Sequence, residues 1–185
     1  MSSKAEVTEA RFNAWYLRAG VTDVDIGVAD VTNTALHTLS STPQTVPGGL
    51  VAGGERWCPA AAGAYSTGGT APTGADFFLY WGNISTGTSF LDLAVAAADL
   101  PSGASSLSWA LDCDVVWQSP TVVTARAALS WRAAGGSNNS KRYYTRTRTT
   151  GMDTTAGRFL TVAFQWTGGT GLVLTTDWCH IPRVA

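Results

Sequence analysis

Charge is what this sequence has least of. Only 14 % of its 185 residues are Asp, Glu, Lys or Arg, against about 25 % in ordinary globular chains. The net charge is −1. So small a basic content excludes a nucleic-acid-packaging protein, and the ample hydrophobic content excludes disorder. A weakly charged surface is a solubility liability for a free monomer, and less of one inside an assembly, so a homo-oligomer is expected. Histidine is nearly absent: His37 and His180 are the two. Neither lies near a nucleophile turn, and no G-x-S-x-G occurs, so a Ser or Cys hydrolase has no support. No Gly-rich stretch follows a strand and opens a helix, which removes a phosphate cradle. Apolar runs are short, and none approaches the ~20 residues of a membrane helix. The opening Met1-Ser2-Ser3-Lys4-Ala5-Glu6 lacks the apolar core of a signal peptide. The chain is therefore expected to be made in the cytosol, and to act outside it only as part of a particle.

Cysteines are few and odd in number: Cys58, Cys113 and Cys179. No pair has C-x-x-C spacing. They read as free thiols packed as small hydrophobes, with one disulfide and a spare thiol as the alternative. Zinc would need His37 or His180, and no ligand spacing supports it. Asp23, Asp25 and Asp30 do not match a calcium loop and suit a solvated strand face. No catalytic, cofactor-binding or metal residues are expected, and no enzyme.

What is present is a regular alternation. From Leu107, every second residue is apolar: Leu107, Trp109, Leu111, Cys113, Val115, Trp117. After Gln118-Ser119-Pro120 the pattern restarts with Val123, Ala125, Ala127, Leu129 and Trp131. That period predicts a long hairpin over 106–132 with one dry face. A slip of one residue would carry three tryptophans into water, so the register should be well fixed.

The rest of the chain is dense in strand and turn signals. Residues 1–20 form a separate unit. Ser3 and Glu6 have capping-box spacing, and an apolar cluster runs from Phe12 to Leu17. This short helical or extended segment is too short to be stable alone, so it reads as an arm docked on its own domain, a neighbouring subunit or a larger scaffold. Residues 21–33 and 34–39 alternate as strands. A Pro/Gly loop follows at 40–49, then a strand over 50–58 broken at Gly53-Gly54. Residues 59–75 are rich in Ala, Gly, Thr and Pro, and 65–74 are expected to be an exposed loop. Phe77 to Trp81 reads as a strand buried on both faces. Residues 90–100 fit a strand or a short helix. Residues 141–150 put Arg142, Tyr144, Arg146 and Arg148 on one face and Tyr143, Thr145, Thr147 and Thr149 on the other. Leu160, Val162, Phe164 and Trp166 face inward. Thr167-Gly168-Gly169-Thr170-Gly171 reads as a tight hairpin connection. Leu172, Leu174, Thr176 and Trp178 then point to the core, and the last strand closes the sheet. Roughly eight to ten strands with dense turns and no repeat predict an all-β fold, a jelly-roll-like antiparallel sandwich over 21–185 with the arm at 1–20.

Three stretches carry a resemblance. They are Leu39-Ser40-Ser41-Thr42-Pro43-Gln44-Thr45-Val46-Pro47, the run from Gly63 through Tyr65-Ser66-Thr67-Gly68-Gly69-Thr70-Ala71-Pro72, and Asp153 to Trp166 with its Gly/Thr turn. In this order they resemble small virion proteins of tailed bacteriophages, the head decoration or spike proteins and fibre tips, over residues 34–181. The resemblance implies a jelly roll, assembly as a trimer and an N-terminal attachment segment, and it transfers no catalytic residue. The function expected is a virion structural protein, with residues 1–20 engaging a major capsid or other virion protein. A carbohydrate-binding module for host surface glycans is the alternative. Exposed Trp57, Trp81 or Tyr65 would mark it, since Trp109, Trp117, Trp131, Trp166 and Trp178 fit the inward phase. A shell-forming coat protein is a third reading, but Lys4 and Arg11 make a poor basic arm. Asp112 and Asp114, ~7 Å apart on a wet face, could serve a glycosidase but read as a solvated or interface pair. Lys141, Arg142, Arg146 and Arg148 with Tyr143 and Tyr144 could hold nucleic acid by charge and stacking. An arginine-protected edge strand, or pairing with Asp112 and Asp114, is the favoured reading.

Overall fold

The computed structural model describes residues 30–39, 45, 46, 48, 49, 51–133 and 140–184. The expected arm at 1–20, the strand pattern over 21–29 and the loop tips at 40–44 and 134–139 lie outside the described residues.

Thirteen strands form among the described residues. They are β1 (Asp30–Val31), β2 (His37–Thr38), β3 (Thr45–Val46), β4 (Arg56–Trp57), β5 (Ala60–Ser66), β6 (Gly74–Trp81), β7 (Thr88–Val95), β8 (Leu107–Ser119), β9 (Val122–Arg132), β10 (Ser140–Thr150), β11 (Arg158–Thr167), β12 (Val173–His180) and β13 (Arg183–Val184). One sheet runs β1-β12-β5-β8 and continues through β9 to β10, while β4 shares an edge of β8 and pairs β13. The other runs β2-β11-β6-β7, with β3 also on β11. All pairings are antiparallel. The chain changes sheet between β1 and β2, β3 and β4, β5 and β6, β7 and β8, β10 and β11, and β11 and β12. Within the two sheets, the four-stranded orders β1-β12-β5-β8 and β2-β11-β6-β7 make the jelly roll expected from the sequence. The β9–β10 hairpin is an insertion that widens the large sheet beyond β8.

The central hairpin forms as read. β8 and β9 pair with Trp109 opposite Trp131 and Cys113 opposite Ala127. Their inward side chains Trp109, Leu111, Val115, Trp117, Val123, Leu129 and Trp131 are all buried. Across the sandwich Trp81 meets Trp117 edge-on with ring centroids 5.0 Å apart, and Phe77 meets Trp109 at 5.1 Å. Trp81 Nε1 donates to Asp153 O at 2.7 Å, and Trp109 Nε1 to Thr175 O at 3.3 Å. These two buried indole N–H groups thus find backbone carbonyl partners.

β10 closes one open side. Its inward hydroxyls reach β7: Thr147 Oγ1 donates to Phe90 O at 2.6 Å and Thr149 Oγ1 to the same oxygen at 3.4 Å. The Tyr143 hydroxyl donates to the Asp99 carboxylate, which also meets Lys141 Nζ at 3.9 Å.

Five sequence expectations change. Tyr65 and Ser66 are not exposed loop but the end of β5, a central strand that starts at Ala60, because small side chains let β12 and β8 close on it from both sides. Phe77 to Trp81 is buried on one face only, since Phe78 and Tyr80 are half-exposed. Residues 168–171 are not a hairpin but a corner, for β11 and β12 lie in different sheets. Gly168, Gly169 and Gly171 all take positive φ there, which turns the chain out of one sheet and into the other. The strand read over 172–181 does not close the sheet, because β12 sits between β1 and β5 and the chain goes on to β13, which pairs β4. Trp178 points outward, because a bulge between Thr176 and Trp178 reverses the phase and buries Cys179 instead. Residues 88–95 resolve as strand, followed by one 3₁₀ turn at Ala97–Asp99.

Candidate binding face on the large sheet

The outer face of the large sheet is a grid fixed by the strand registers. One row reads Trp178, Ala62, Ala110, Ser130, Arg142 from β12 to β10. The next reads His180, Ala60, Asp112, Ala128, Tyr144. A third holds Asp114, Arg126 and Arg146, and a fourth Val116, Thr124 and Arg148. Rows are ~7 Å apart along the strands, and columns ~4.8 Å apart.

The two ends of this face differ. At the β12 end, an exposed Trp178 (40 %) lies 6.3 Å from the His180 ring and opposite Ala62. From β12 to β5 these rows carry no Asp, Glu, Lys or Arg, and the bulged Asp177 next to Trp178 is an exposed charge at this end. At the β10 end, Tyr144 is 68 % exposed and charges crowd. Asp112, Asp114, Arg126, Ala128, Tyr144 and Arg146 line a concavity of about 580 Å³. Small Ala128 beside Tyr144 leaves the ring uncovered.

The charges do not pair as the sequence suggested. Asp114 Oδ1 binds Arg56 Nε at 2.6 Å, and that hydrogen bond raises the already high Arg56 pKa. Arg148 Nε donates to Gln118 Oε1 at 3.1 Å. Neither Arg126 nor Arg146 forms an ion pair with a described residue, although they stand directly opposite one another. Like charges in opposed cross-strand positions repel. The alternation Arg142, Tyr144, Arg146, Arg148 was legible in β10, and the exposure pattern reproduces it. Arg126 was not, because only the hairpin register sets it opposite Arg146.

The other sequence candidates fall elsewhere. Trp57, Trp81 and Tyr65 are buried, so the tryptophans and tyrosine proposed to stack on sugars belong to the core. Tyr65 donates its hydroxyl to Arg132 O, and burial pushes its pKa well above the tyrosine range. His37 Nε2 sits 2.8 Å from Asn33 Oδ1 in a surface turn. Asn83-Ile84-Ser85, which has the N-x-S spacing of a glycosylation acceptor, forms an Asx turn: Asn83 Oδ1 accepts from the Ser85 and Thr86 amides at 2.9 and 2.7 Å. All three cysteines are free, with Cys113 and Cys179 buried. Burial pushes the Cys179 thiol up to about 12 and the Cys113 thiol higher still. Neither is an activated nucleophile. Asp76 and Asp92 lie on the outside of the small sheet, one row apart on β6 and β7. Burial raises both carboxyls, and Asp92 raises Asp76 further. Among the described residues, no three His, Cys, Asp or Glu side chains cluster as metal ligands, and no helix is long and apolar enough to cross a membrane.

No family model matches this chain, and no curated protein matches it. Among solved structures it is similar to the infectious bursal disease virus VP2 subviral particle, at 12 % identity and a TM-score of 0.25. The match covers 88 % of this chain and 42 % of the VP2 chain, so this chain spans less than half the length of that neighbour.

Proposed function

We propose that this chain is a virion structural protein, a decoration, spike or fibre component of a bacteriophage particle, and that it works by assembling as a homo-oligomer. A jelly roll hosts many functions, so the fold only permits this reading. The observation that carries it is the charge-poor half of the large sheet's outer face, where the bulged Asp177 is an exposed charge beside otherwise small or aromatic side chains. There Trp178 stands exposed beside Ala60, Ala62 and Ala110. Interface cores are depleted in charge and anchored by aromatics, and small neighbours let a partner seat closely around such an anchor. The low charge of the whole chain supports the same reading. The trimer is the form that the sequence resemblance implies, with residues 1–20 as the segment that engages the particle.

Light scattering across a dilution series tests the assembly. A mass of three times the 19.3 kDa chain is expected, and Trp178→Arg should return it to one chain with an unchanged far-UV spectrum. A wild-type protein that stays at one chain mass at every concentration refutes the reading. The arm is tested separately. A variant lacking residues 1–20 should keep the sandwich and its oligomer mass but lose co-sedimentation with particles. Undiminished co-sedimentation would show that the arm does not attach.

A further inference from the structure

We propose that the concavity over β8, β9 and β10 binds an anionic saccharide, a sugar ring bearing a carboxylate or a sulfate, with Tyr144 under the ring and Arg126 and Arg146 on the acid group. The site does not rest on the assembly reading. Its residues lie two to four strand spacings, ~10–19 Å, from the β12 column that holds Trp178.

Three features of the face point to this class of ligand. The first is the opposed pair Arg126 and Arg146. Two guanidiniums in neighbouring positions without carboxylate partners make a local positive field, and Asp114, the carboxylate in register with Arg126, is held by Arg56. An acid group set between the two guanidiniums removes their repulsion and takes charge-assisted hydrogen bonds from both. The second feature is Tyr144. A large ring 68 % exposed on a regular strand, one row from Arg146, offers a flat apolar platform with a polar tip. Sugar rings have apolar C–H faces that pack on such platforms while their hydroxyls seek hydrogen bonds. The third is Asp112, in the same row as Tyr144 with only Ala128 between them. Its carboxylate is an acceptor two strand spacings, ~10 Å, from the Tyr144 column, where a hydroxyl of a saccharide laid across the face can meet it. The volume, about 580 Å³, lies within the ~300–1,000 Å³ range of small-ligand sites and suits one or two sugar units.

The same residues argue against nucleic acid. A single-strand groove needs a continuous basic track with successive stacking rings. Here Tyr144 is the one aromatic that lines the concavity, and Arg148, which would extend the track, is engaged by Gln118.

The test is calorimetric titration of the full chain with four probes: 3′-sialyllactose, 6-sulfated lactose, lactose and a ten-nucleotide oligo-dT. Sialyllactose and sulfated lactose separate the carboxylate from the sulfate source, and binding of either supports the site. Lactose should bind at least about tenfold more weakly, the loss of a charge-assisted contact. Tyr144→Ala should weaken the anionic probe about fivefold or more, and Arg146→Gln should erase the preference over lactose. Both side chains are exposed, so both variants should keep the wild-type melting temperature. The proposal is overturned if neither anionic saccharide binds, if lactose binds equally well, or if binding survives both substitutions unchanged. Oligo-dT binding lost in Tyr144→Ala and Arg148→Gln, without saccharide binding, would assign the face to nucleic acid instead.

Discussion

Gly63→Ala is expected to lower the melting temperature by at least about 6 °C. Gly63 lies in the middle of β5, between Ala62 and Ala64, and faces inward. A Cβ placed there would stand 1.9 Å from Thr175 O and 2.9 Å from Thr175 C. Those atoms are backbone of β12, at the edge of the bulge between Thr176 and Trp178. A flexible side chain could swing away, but a carbonyl in a ladder cannot move without its strand. Relief would push β12 off β5 and weaken the pairings from Ala60–His180 to Ser66–Val173. Overpacking a closed site costs typically ~1–3 kcal/mol, and the rigid obstacle places this change at or above the top of that range. At ~2–4 °C per kcal/mol for a domain of this size, the shift follows. Gly69→Ala is the control, for nothing lies within 4 Å of its added Cβ, and it should melt within ~2 °C of wild type. Circular dichroism of the three proteins decides. Equal melting of the two variants would mean that β12 yields at little cost.

The same strand shows where sequence reading stops. β8 and β9 were legible because each apolar position alternates with a polar or small one, and burial follows that alternation. β5 reads Ala-Ala-Ala-Gly-Ala-Tyr-Ser. It alternates between buried and half-buried, but with almost the same side chain at each position, so no hydrophobic period appears. What makes it a strand is close backbone approach on both sides, a tertiary effect that overrides its weak intrinsic preference. Trp178 illustrates a second limit. Counting every second residue from Leu172 puts it inward, and a single bulged residue, Asp177, inverts the count. The turn at residues 167–171 illustrates a third. Its glycines announced a sharp reversal, but a local turn signal does not say whether the next strand pairs with the last or crosses to the facing sheet.

The candidate face divides along the same line. The basic and aromatic alternation of β10 was visible, as were Asp112 and Asp114 on the wet side of β8. Their relation was not, because β9 lies between them and its register decides which side chains share a row. The sequence left two readings for the β10 arginines, protection of an edge strand or pairing with Asp112 and Asp114, and β10 does lie at an edge, paired with β9. Arg56, 58 residues earlier in the chain, takes Asp114 from the far side of β8. Arg126 and Arg146 are left facing one another. A surface with so few charges gains nothing structural from placing two of one sign together. The arrangement acquires a purpose when an anion completes it.

Trp131→Ala is expected to cost about 3–5 kcal/mol, the range for truncating a buried aromatic. Trp131 is fully buried and joins both sheets. It stacks on Tyr65 with centroids 4.0 Å apart and planes 18° from parallel. It meets Trp166 of the opposite sheet edge-on at 6.2 Å and Phe77 at 6.3 Å. Removing it opens a cavity among three rings that cannot collapse without drawing β9 towards β11 in the facing sheet. Against a total stability of ~5–15 kcal/mol, this loss takes a large part of the whole. The melting temperature should fall by about 10 °C or more. Should the Ala variant fail to accumulate, Trp131→Phe keeps the prediction measurable, with a smaller shift in the same direction. Trp178→Ala supplies the contrast in the isolated chain, where 40 % of Trp178 is exposed and about 1 kcal/mol or less is expected. Under conditions where the oligomer persists, Trp178→Ala should instead lower the melting temperature in a concentration-dependent way, because subunit association adds to apparent stability. Trp131→Ala should show a loss of the same size at every concentration. If the two variants lose equal stability in dilute solution, the division of tryptophans into core and interface does not hold.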